Sequence, residues 1–275
     1  MSTANAPGTP AGSVAPLLDV RGIGIAFGGL KAVQEFSIAL PPRGLYGLIG
    51  PNGAGKTTAF NLLTGVYTTQ TGSITLAGKR IEMLKPHEIA AAGMARTFQN
   101  IRLFGELSVL DNVRLACHLR GRHTLLGTLL RTPRFVAQER AMTAMSRELL
   151  SIFGLERVAD ESARNLPYGD QRRLEICRAL ATEPKVLLLD EPAAGMNPTE
   201  KVELAKSIRQ IRDRFGLAVL LIEHDMGLVM EICERITVLD YGQTICSGPP
   251  STVQNDPKVI EAYLGVEETA EGGVA

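Results

Sequence analysis

The sequence predicts an α/β protein: a parallel sheet flanked by helices, joined to an antiparallel β subdomain and interrupted by an inserted α-helical subdomain. Three observations carry this. A short apolar strand, Leu45–Ile49, runs straight into a glycine-rich loop and then into a helical pattern over Lys56–Leu63. Beyond Asn165, helix and strand patterns alternate, as they do when strands lie parallel and helices make the crossovers. Between these regions, residues 105–165 read as helical and more highly charged, with no convincing strand.

Taken in order, residues 17–40 read as β segments broken at Gly28 and Gly29, and residues 72–81 as a hairpin-like stretch turning at Gly78. Together they predict the small antiparallel sheet. The later alternation predicts a helix over 170–181, strand Val186–Asp190, a helix over 199–215, a strand over 217–222, a helix over 227–235 and a strand over 236–239. The helix from Thr199 is well punctuated: Pro198 precedes it, Glu200 and Glu203 lie in its first turns, and Gly216 follows its end. Residues 1–16 are rich in Ala, Ser, Pro and Gly, lack the basic and apolar regions of a secretory signal, and read as a disordered leader. No internal repeat is visible, which excludes two tandem copies of this unit.

Composition narrows the function classes. With 275 residues, 45% of them hydrophobic, the chain can bury a large core. Its 29 basic and 29 acidic residues cancel, so no global field points to nucleic acid. Apolar runs fall short of the roughly 20 residues that span a bilayer. Cys117, Cys177, Cys233 and Cys246 are widely spaced without metal-site spacing and read as small buried hydrophobes in a reducing compartment.

The chemistry begins at Gly50-Pro51-Asn52-Gly53-Ala54-Gly55-Lys56-Thr57, which fits GxxxxGK[ST] in the required strand, loop, helix context. Glycines let the backbone curl so that several N–H groups converge on phosphate oxygens, and the following helix, from Lys56 through Thr57 and Thr58, presents its positive end. Lys56 is placed to reach the β- and γ-phosphates, and the Thr57 hydroxyl to ligate Mg²⁺. A second strand, Val186–Asp190, ends in the acids Asp190 and Glu191. Alone, such a pair is more often a turn or helix cap. The phosphate loop reverses those odds: adjacent strand residues point opposite ways, so Asp190 can serve the metal while Glu191 acts as general base for the attacking water.

With these motifs in place, residues 17–265 resemble the ATP-binding cassette (ABC) transporter ATPases, whose fold is a P-loop NTPase (RecA-like) core with an antiparallel β subdomain and an inserted α-helical lobe. The resemblance implies a core formed by 17–104 and 166–265, a helical lobe over 105–165 and a disordered tail over 266–275. It implies that Gln99, in Arg96-Thr97-Phe98-Gln99-Asn100, reaches Mg²⁺ or the attacking water and links the nucleotide site to the helical lobe. His224, in Glu223-His224-Asp225, is similar to the family's switch histidine that contacts the γ-phosphate, and Phe27 stands where the family stacks an aromatic on adenine. Leu166-Pro167-Tyr168-Gly169-Asp170-Gln171 aligns with the signature LSGGQ, so Tyr168, Gly169, Asp170 and Gln171 are expected to cap the ATP of a second subunit. Pro167 departs from the usual serine and supplies neither hydroxyl nor N–H, which weakens the expected closure.

The run after the signature, Gln171-Arg172-Arg173-Leu174-Glu175-Ile176, together with Glu191-Pro192-Ala193-Ala194-Gly195-Met196-Asn197-Pro198, resembles the branched-chain amino acid importer subgroup. The C-terminal Val259-Ile260-Glu261-Ala262-Tyr263-Leu264-Gly265 does so too. Asn197 occupies the position of a loop residue that communicates across the dimer. The resemblance therefore implies ATP and Mg²⁺ as ligands, transmembrane permease subunits and a second cassette as partners, a periplasmic or extracellular substrate-binding protein indirectly, and no nucleic acid. It places the chain peripherally on the cytoplasmic face of the inner membrane. Uptake of urea or short amides is the alternative within transport. A non-transport switch would need coiled-coil insertions or tandem cassettes, and a non-catalytic module is disfavoured by Lys56, Asp190, Glu191 and His224 together.

Overall fold

A computed structural model describes residues 15–119 and 129–263. All of the expected leader except Ala15 and Pro16, and the whole expected tail, lie outside the described residues, as do Arg120, Arg122, Leu264 and Gly265. Among the described residues there are two sheets. Strands β1 (Leu18–Phe27), β2 (Leu30–Leu40), β4 (Thr71–Leu76) and β5 (Lys79–Arg80) form an antiparallel sheet in the order β2-β1-β4-β5. Strands β3 (Leu45–Ile49), β6 (Met94–Arg96), β7 (Val186–Asp190), β8 (Ala218–Ile222), β9 (Arg235–Asp240) and β10 (Gln243–Gly248) form the second, in the order β10-β9-β3-β8-β7-β6. It is parallel apart from the β9–β10 hairpin.

Strands β7 and β8 are buried at every position, which is why their sequences are unbroken apolar runs rather than alternations. The period of two still sorts their side chains. Leu187, Leu189, Val219 and Leu221 enter one core with the helical lobe. Val186, Leu188, Leu220 and Ile222 enter the other, against the antiparallel sheet and Ala59, Phe60, Leu62 and Leu63 of α1 (Lys56–Leu63). Asp190 continues the second set, so its carboxylate emerges on the α1 side of the sheet.

The inserted lobe is helical as expected, with α3 (Val109–Cys117) and α4 (Pro133–Ile152) packed on each other and on α5 (Tyr168–Leu180). Ser108 caps α3 by accepting from the Asp111 N–H at 3.0 Å, and Arg114 bridges Asp111 and Glu139 at 2.9 Å each, so this arginine is engaged within the lobe. Further helices among the described residues include α2 (Pro86–Ala92), α6 (Pro198–Phe215), α7 (Met226–Ile232) and α8 (Pro250–Gln254).

Several elements differ from the sequence reading. The helix expected over 227–235 stops at Ile232, because Cys233 is extended (ψ 136°) and the chain must re-enter the sheet as β9. Helix α6 begins at Pro198, capped by Asn197. Strands β6 and β10 and helices α2 and α8 were not anticipated; β6 is only 3 residues long, too short to show a period.

The exit from β3 is constrained most tightly. Gly50 has φ 148°, and a Cβ there would lie 2.0 Å from the Leu239 carbonyl oxygen on β9. Gly50→Ala should therefore force the phosphate loop off β9 and lower stability by about 3 kcal/mol; the check is a reduced urea midpoint at unchanged m-value.

Candidate active site

Four peptide segments meet at the carboxyl ends of β3, β6, β7 and β8. The first is the glycine-rich loop. Gly55 closes it with φ 102°, a conformation that any Cβ would strain, and α1 starts at Lys56. Lys56 is buried, and its ammonium donates to the carbonyls of Gly50 at 2.6 Å and Pro51 at 2.8 Å, using two of its three N–H donors. Burial pushes its pKa down, opposed by the nearby carboxylates of Glu191 and then Asp190, which favour the charged form. Thr57 is exposed and Thr58 half-buried in the first turn, consistent with hydroxyls at the loop's mouth.

The second segment is the end of β7. Asp190 is 1% exposed and accepts from Arg96 Nη2 at 2.7 Å through Oδ2. Arg96 comes from β6, also donates to Asn61 Oδ1 of α1 at 2.7 Å, and has its guanidinium over the rings of Phe60 at 5.4 Å and Phe98 at 5.2 Å. Sequence reasoning missed Arg96 as a site residue; adjacency to Gln99 was the one signal available. Glu191 then leaves the strand with φ 49°, a left-handed conformation that costs a non-glycine residue about 1–3 kcal/mol and recurs at functional sites. Its amide is fixed by the Ile222 carbonyl at 2.9 Å, so the bend is over-determined.

The third and fourth segments bring Gln99 and His224 to the same carboxylate. Gln99 Nε2 donates to Glu191 Oε2 at 3.2 Å, and His224 Nε2 lies 2.6 Å from Glu191 Oε1. Glu223, buried beside His224, accepts from Ala193 N–H at 2.7 Å and His224 N–H at 3.1 Å, bridging the stretch after Glu191 to the histidine turn. Burial raises its pKa, against the opposing effect of those backbone donors. Like Arg96, Glu223 was missed: adjacency to His224 was its one signal, and its shorter bond goes to a backbone group distant in the chain. Thus Lys56, Asp190, Glu191, Gln99 and His224 converge.

Other expected residues lie apart from this cluster. Phe27 ends β1, 46% exposed, with its ring edge-on to Tyr67 at 5.2 Å and 69°; Tyr67 is a second exposed aromatic that the sequence did not single out. Tyr168, Gly169, Asp170 and Gln171 open α5, with Pro167 as a cap that contributes no side-chain hydrogen bond. Tyr168 and Gly169 lie against the stretch after Glu191: a Cβ on Gly195 would lie 3.0 Å from the Tyr168 ring, and one on Gly169 would lie 3.4 Å from Glu200 Oε1. Asn197 spends its side-chain oxygen on the Glu200 N–H at 3.0 Å and receives the Glu200 carboxylate on its own N–H at 2.8 Å, a capping box.

The donor set around the loop consists of a hydroxyl (Thr57), a carboxylate (Asp190) and an amide oxygen (Gln99). These hard oxygens suit Mg²⁺, which takes one or two protein ligands beside phosphates and water. No cluster of three or more His, Cys, Asp or Glu residues that could cage a metal occurs among the described residues, and Arg96 engages only Oδ2 of Asp190, so the residues fit a nucleotide-borne Mg²⁺.

Comparison with known proteins agrees with this geometry. Residues 33–194 match the family model described as ABC transporter, and residues 243–269 match that of the branched-chain amino acid ATP-binding cassette transporter. The chain is 47% identical to the high-affinity branched-chain amino acid transport ATP-binding protein LivG of Salmonella typhimurium, over 91% of this chain and 98% of that protein. It is 44% identical to BraF of Pseudomonas aeruginosa, described likewise, over the same shares. Among solved structures, the ADP conformation of an ATP-binding cassette of an ABC transporter superimposes with a TM-score of 0.78 at 30% identity, covering 90% of this chain and 98% of that one.

Removing Arg96 would leave Asp190 buried and uncompensated. Arg96→Met should cost about 3–5 kcal/mol in urea denaturation, whereas Arg96→Met combined with Asp190→Leu should recover most of that loss in stability without restoring nucleotide hydrolysis.

Proposed function

Because this chain belongs to the ABC transporter family, we propose that it is the ATP-hydrolysing subunit that powers uptake of branched-chain amino acids. It binds and hydrolyses ATP; the cargo reading is supported by the match of its C-terminal segment and by its likeness to LivG and BraF. The observation that carries the catalytic assignment is Glu191, held between His224 at 2.6 Å and Gln99 at 3.2 Å beside the phosphate loop.

Phosphoryl transfer to water requires positioning and charge neutralisation rather than covalent chemistry. In our reading the N–H groups of Gly53 to Lys56 cradle the phosphates, and Lys56 turns its ammonium to the β- and γ-phosphates. Thr57, Asp190 and Gln99 would hold Mg²⁺, which when bound supplies charge neutralisation on the phosphate oxygens. Both Glu191 oxygens are engaged in the resting arrangement, and the contact to Gln99 is the longer. A water replacing it on Oε2 would lie against the carboxylate that takes its proton, while Gln99 remains alongside to orient it. His224, bonded to Oε1, keeps the carboxylate in that rotamer and offers its ring to the γ-phosphate. Phe27, with Tyr67 behind it, would receive the adenine.

The transporter context adds partners. A cassette of an importer works with permease subunits and with a second cassette. A cavity of about 290 Å³ between the helical lobe and the core, lined by Phe98, Arg102, Ala116 and Arg178, supports docking of a cytoplasmic permease segment there. An importer of this kind also receives its cargo from a substrate-binding protein outside the membrane. No helix among the described residues is long and apolar enough to cross a membrane, so the chain's placement at the cytoplasmic face would come from the permease.

Two outcomes test this reading. Glu191→Gln should retain ATP binding and lose turnover by about 10²–10⁴-fold in steady-state hydrolysis; unchanged turnover would remove Glu191 as the base. Uptake of labelled leucine, isoleucine and valine in cells lacking this chain should return with the wild type and not with Lys56→Ala; intact branched-chain uptake in the deletion, with urea uptake lost, would overturn the cargo.

A further inference from the structure

Helix α5 carries three charged side chains at three-residue spacing, Arg172, Glu175 and Arg178, and none of them faces open solvent as a charge run usually does. Arg172 is 3% exposed and Glu175 5%. Burying two charges on a helix is costly unless each is fully engaged. Here most of the engagement is with backbone, beside an Arg172–Glu175 contact at 3.5 Å, and Nε of Arg172 is left without a hydrogen-bond partner. Arg172 Nη1 donates to the Phe98 carbonyl at 2.7 Å, and its Nη2 donates to the Gln99 carbonyl and to the Tyr168 hydroxyl at 2.9 Å. Glu175 Oε1 accepts from the Phe98 N–H at 3.2 Å. Arg178 donates to the Arg102 carbonyl and lies over the Phe104 ring at 5.0 Å.

The short stretch 98–102 has no ladder of its own and is held in place by this helix face. Gln99 is the residue whose side chain touches Glu191, and its own carbonyl is in the grip of Arg172. A planar guanidinium that bonds two successive carbonyls fixes the orientation of the peptide between them, which a point charge could not do.

Resting on the assignment of Glu191 and Gln99 proposed above, we infer that Arg172 is a positioning residue for hydrolysis: it sets the peptide of Gln99, and so the amide that aligns water on Glu191, in register with Tyr168 at the start of the same helix. A group that misplaces a reacting partner by about 1 Å can cost about 10²-fold in rate without contact with substrate. The same guanidinium bonds Tyr168 at the helix start and Gln99 at the active site, so displacement of the helix start moves the Gln99 peptide with it.

The test is a double-mutant cycle on the full-length chain, with steady-state hydrolysis at saturating Mg-ATP and equilibrium binding of a fluorescent ATP analogue. Arg172→Met should lower kcat by about 10²-fold while the dissociation constant for the analogue stays within about twofold. In a Gln99→Ala background the same substitution should cost less than about twofold more, because its effect passes through Gln99. Arg172→Lys, which can still donate to one carbonyl, should regain part of the rate. Equal losses from Arg172→Met in both backgrounds, or an unchanged kcat, would overturn the inference while leaving intact the loss of turnover in Glu191→Gln that the proposed function requires; Gln99→Ala itself should be slowed but keep measurable turnover. An unaltered kcat in Gln99→Ala alone would overturn it too, and would remove Gln99 from the mechanism. Should Arg172→Met not fold, Arg172→Lys enters the same cycle, where additive losses again refute the idea.

Discussion

The buried ion pair of Arg96 and Asp190 is the contact around which the catalytic end of the sheet is organised. It joins the short edge strand β6 to the end of β7, and through Asn61 it reaches α1, the helix that the phosphate loop opens. Asp190 alone at that depth would be a buried charge without a partner, which is strongly destabilising. Arg96 alone would be equally out of place; its guanidinium is sandwiched against Phe60 and Phe98, and only the pair makes that burial tolerable. The pairing uses one carboxylate oxygen of Asp190, Oδ2; in the reading proposed above, the other is the one that would face a metal.

From that fixed point the reactive geometry follows. Asp190 stays with its strand, whereas Glu191 departs at φ 49° and so turns its carboxylate towards His224 and Gln99 instead of continuing into the sheet. Glu223 locks the far side of this turn by collecting the N–H groups of Ala193 and His224. The strain at Glu191 is held by the surrounding hydrogen bonds, as strained residues at functional sites generally are.

Much of this was legible in the sequence, and the boundary is physical. The phosphate loop reads directly because its chemistry needs glycines, a lysine and a hydroxyl in one contiguous string. Asp190 and Glu191 read only in company with that loop, since an acid pair at a strand end is by itself more often a turn or a cap. The strand and helix alternation after Asn165 read because periodicity needs only local sequence. Gln99 and His224 came through resemblance to a family, since a single glutamine or histidine has no pattern of its own. Arg96, Arg172, Glu175 and Glu223 were not legible: Arg96 and Asp190 are 94 residues apart, and the other three act on backbone groups, which every residue type offers alike. Distance also hid β6, which is 3 residues long and pairs with β7 far along the chain; β10 pairs with the adjacent β9 in a hairpin, and its signal was local but overlooked.

The start of α5 and its buried face bear on the proposal that the chain works with a second cassette. The helix's first residues lie against Gly195 and Glu200, whereas its buried face holds the loop that carries Gln99. The signature residues therefore belong to the same rigid piece as the cis glutamine, yet Tyr168 and Gly169 lie against the stretch after Glu191. In the reading proposed above, an anion at Lys56 would be met by one chain's lysine and histidine, and the start of α5, with its positive end, would be offered to a nucleotide held on another cassette. Pro167 gives that helix start no side-chain cap, so what the helix has to offer a ligand is backbone N–H, and in the proposed dimer closure around ATP would rest on it.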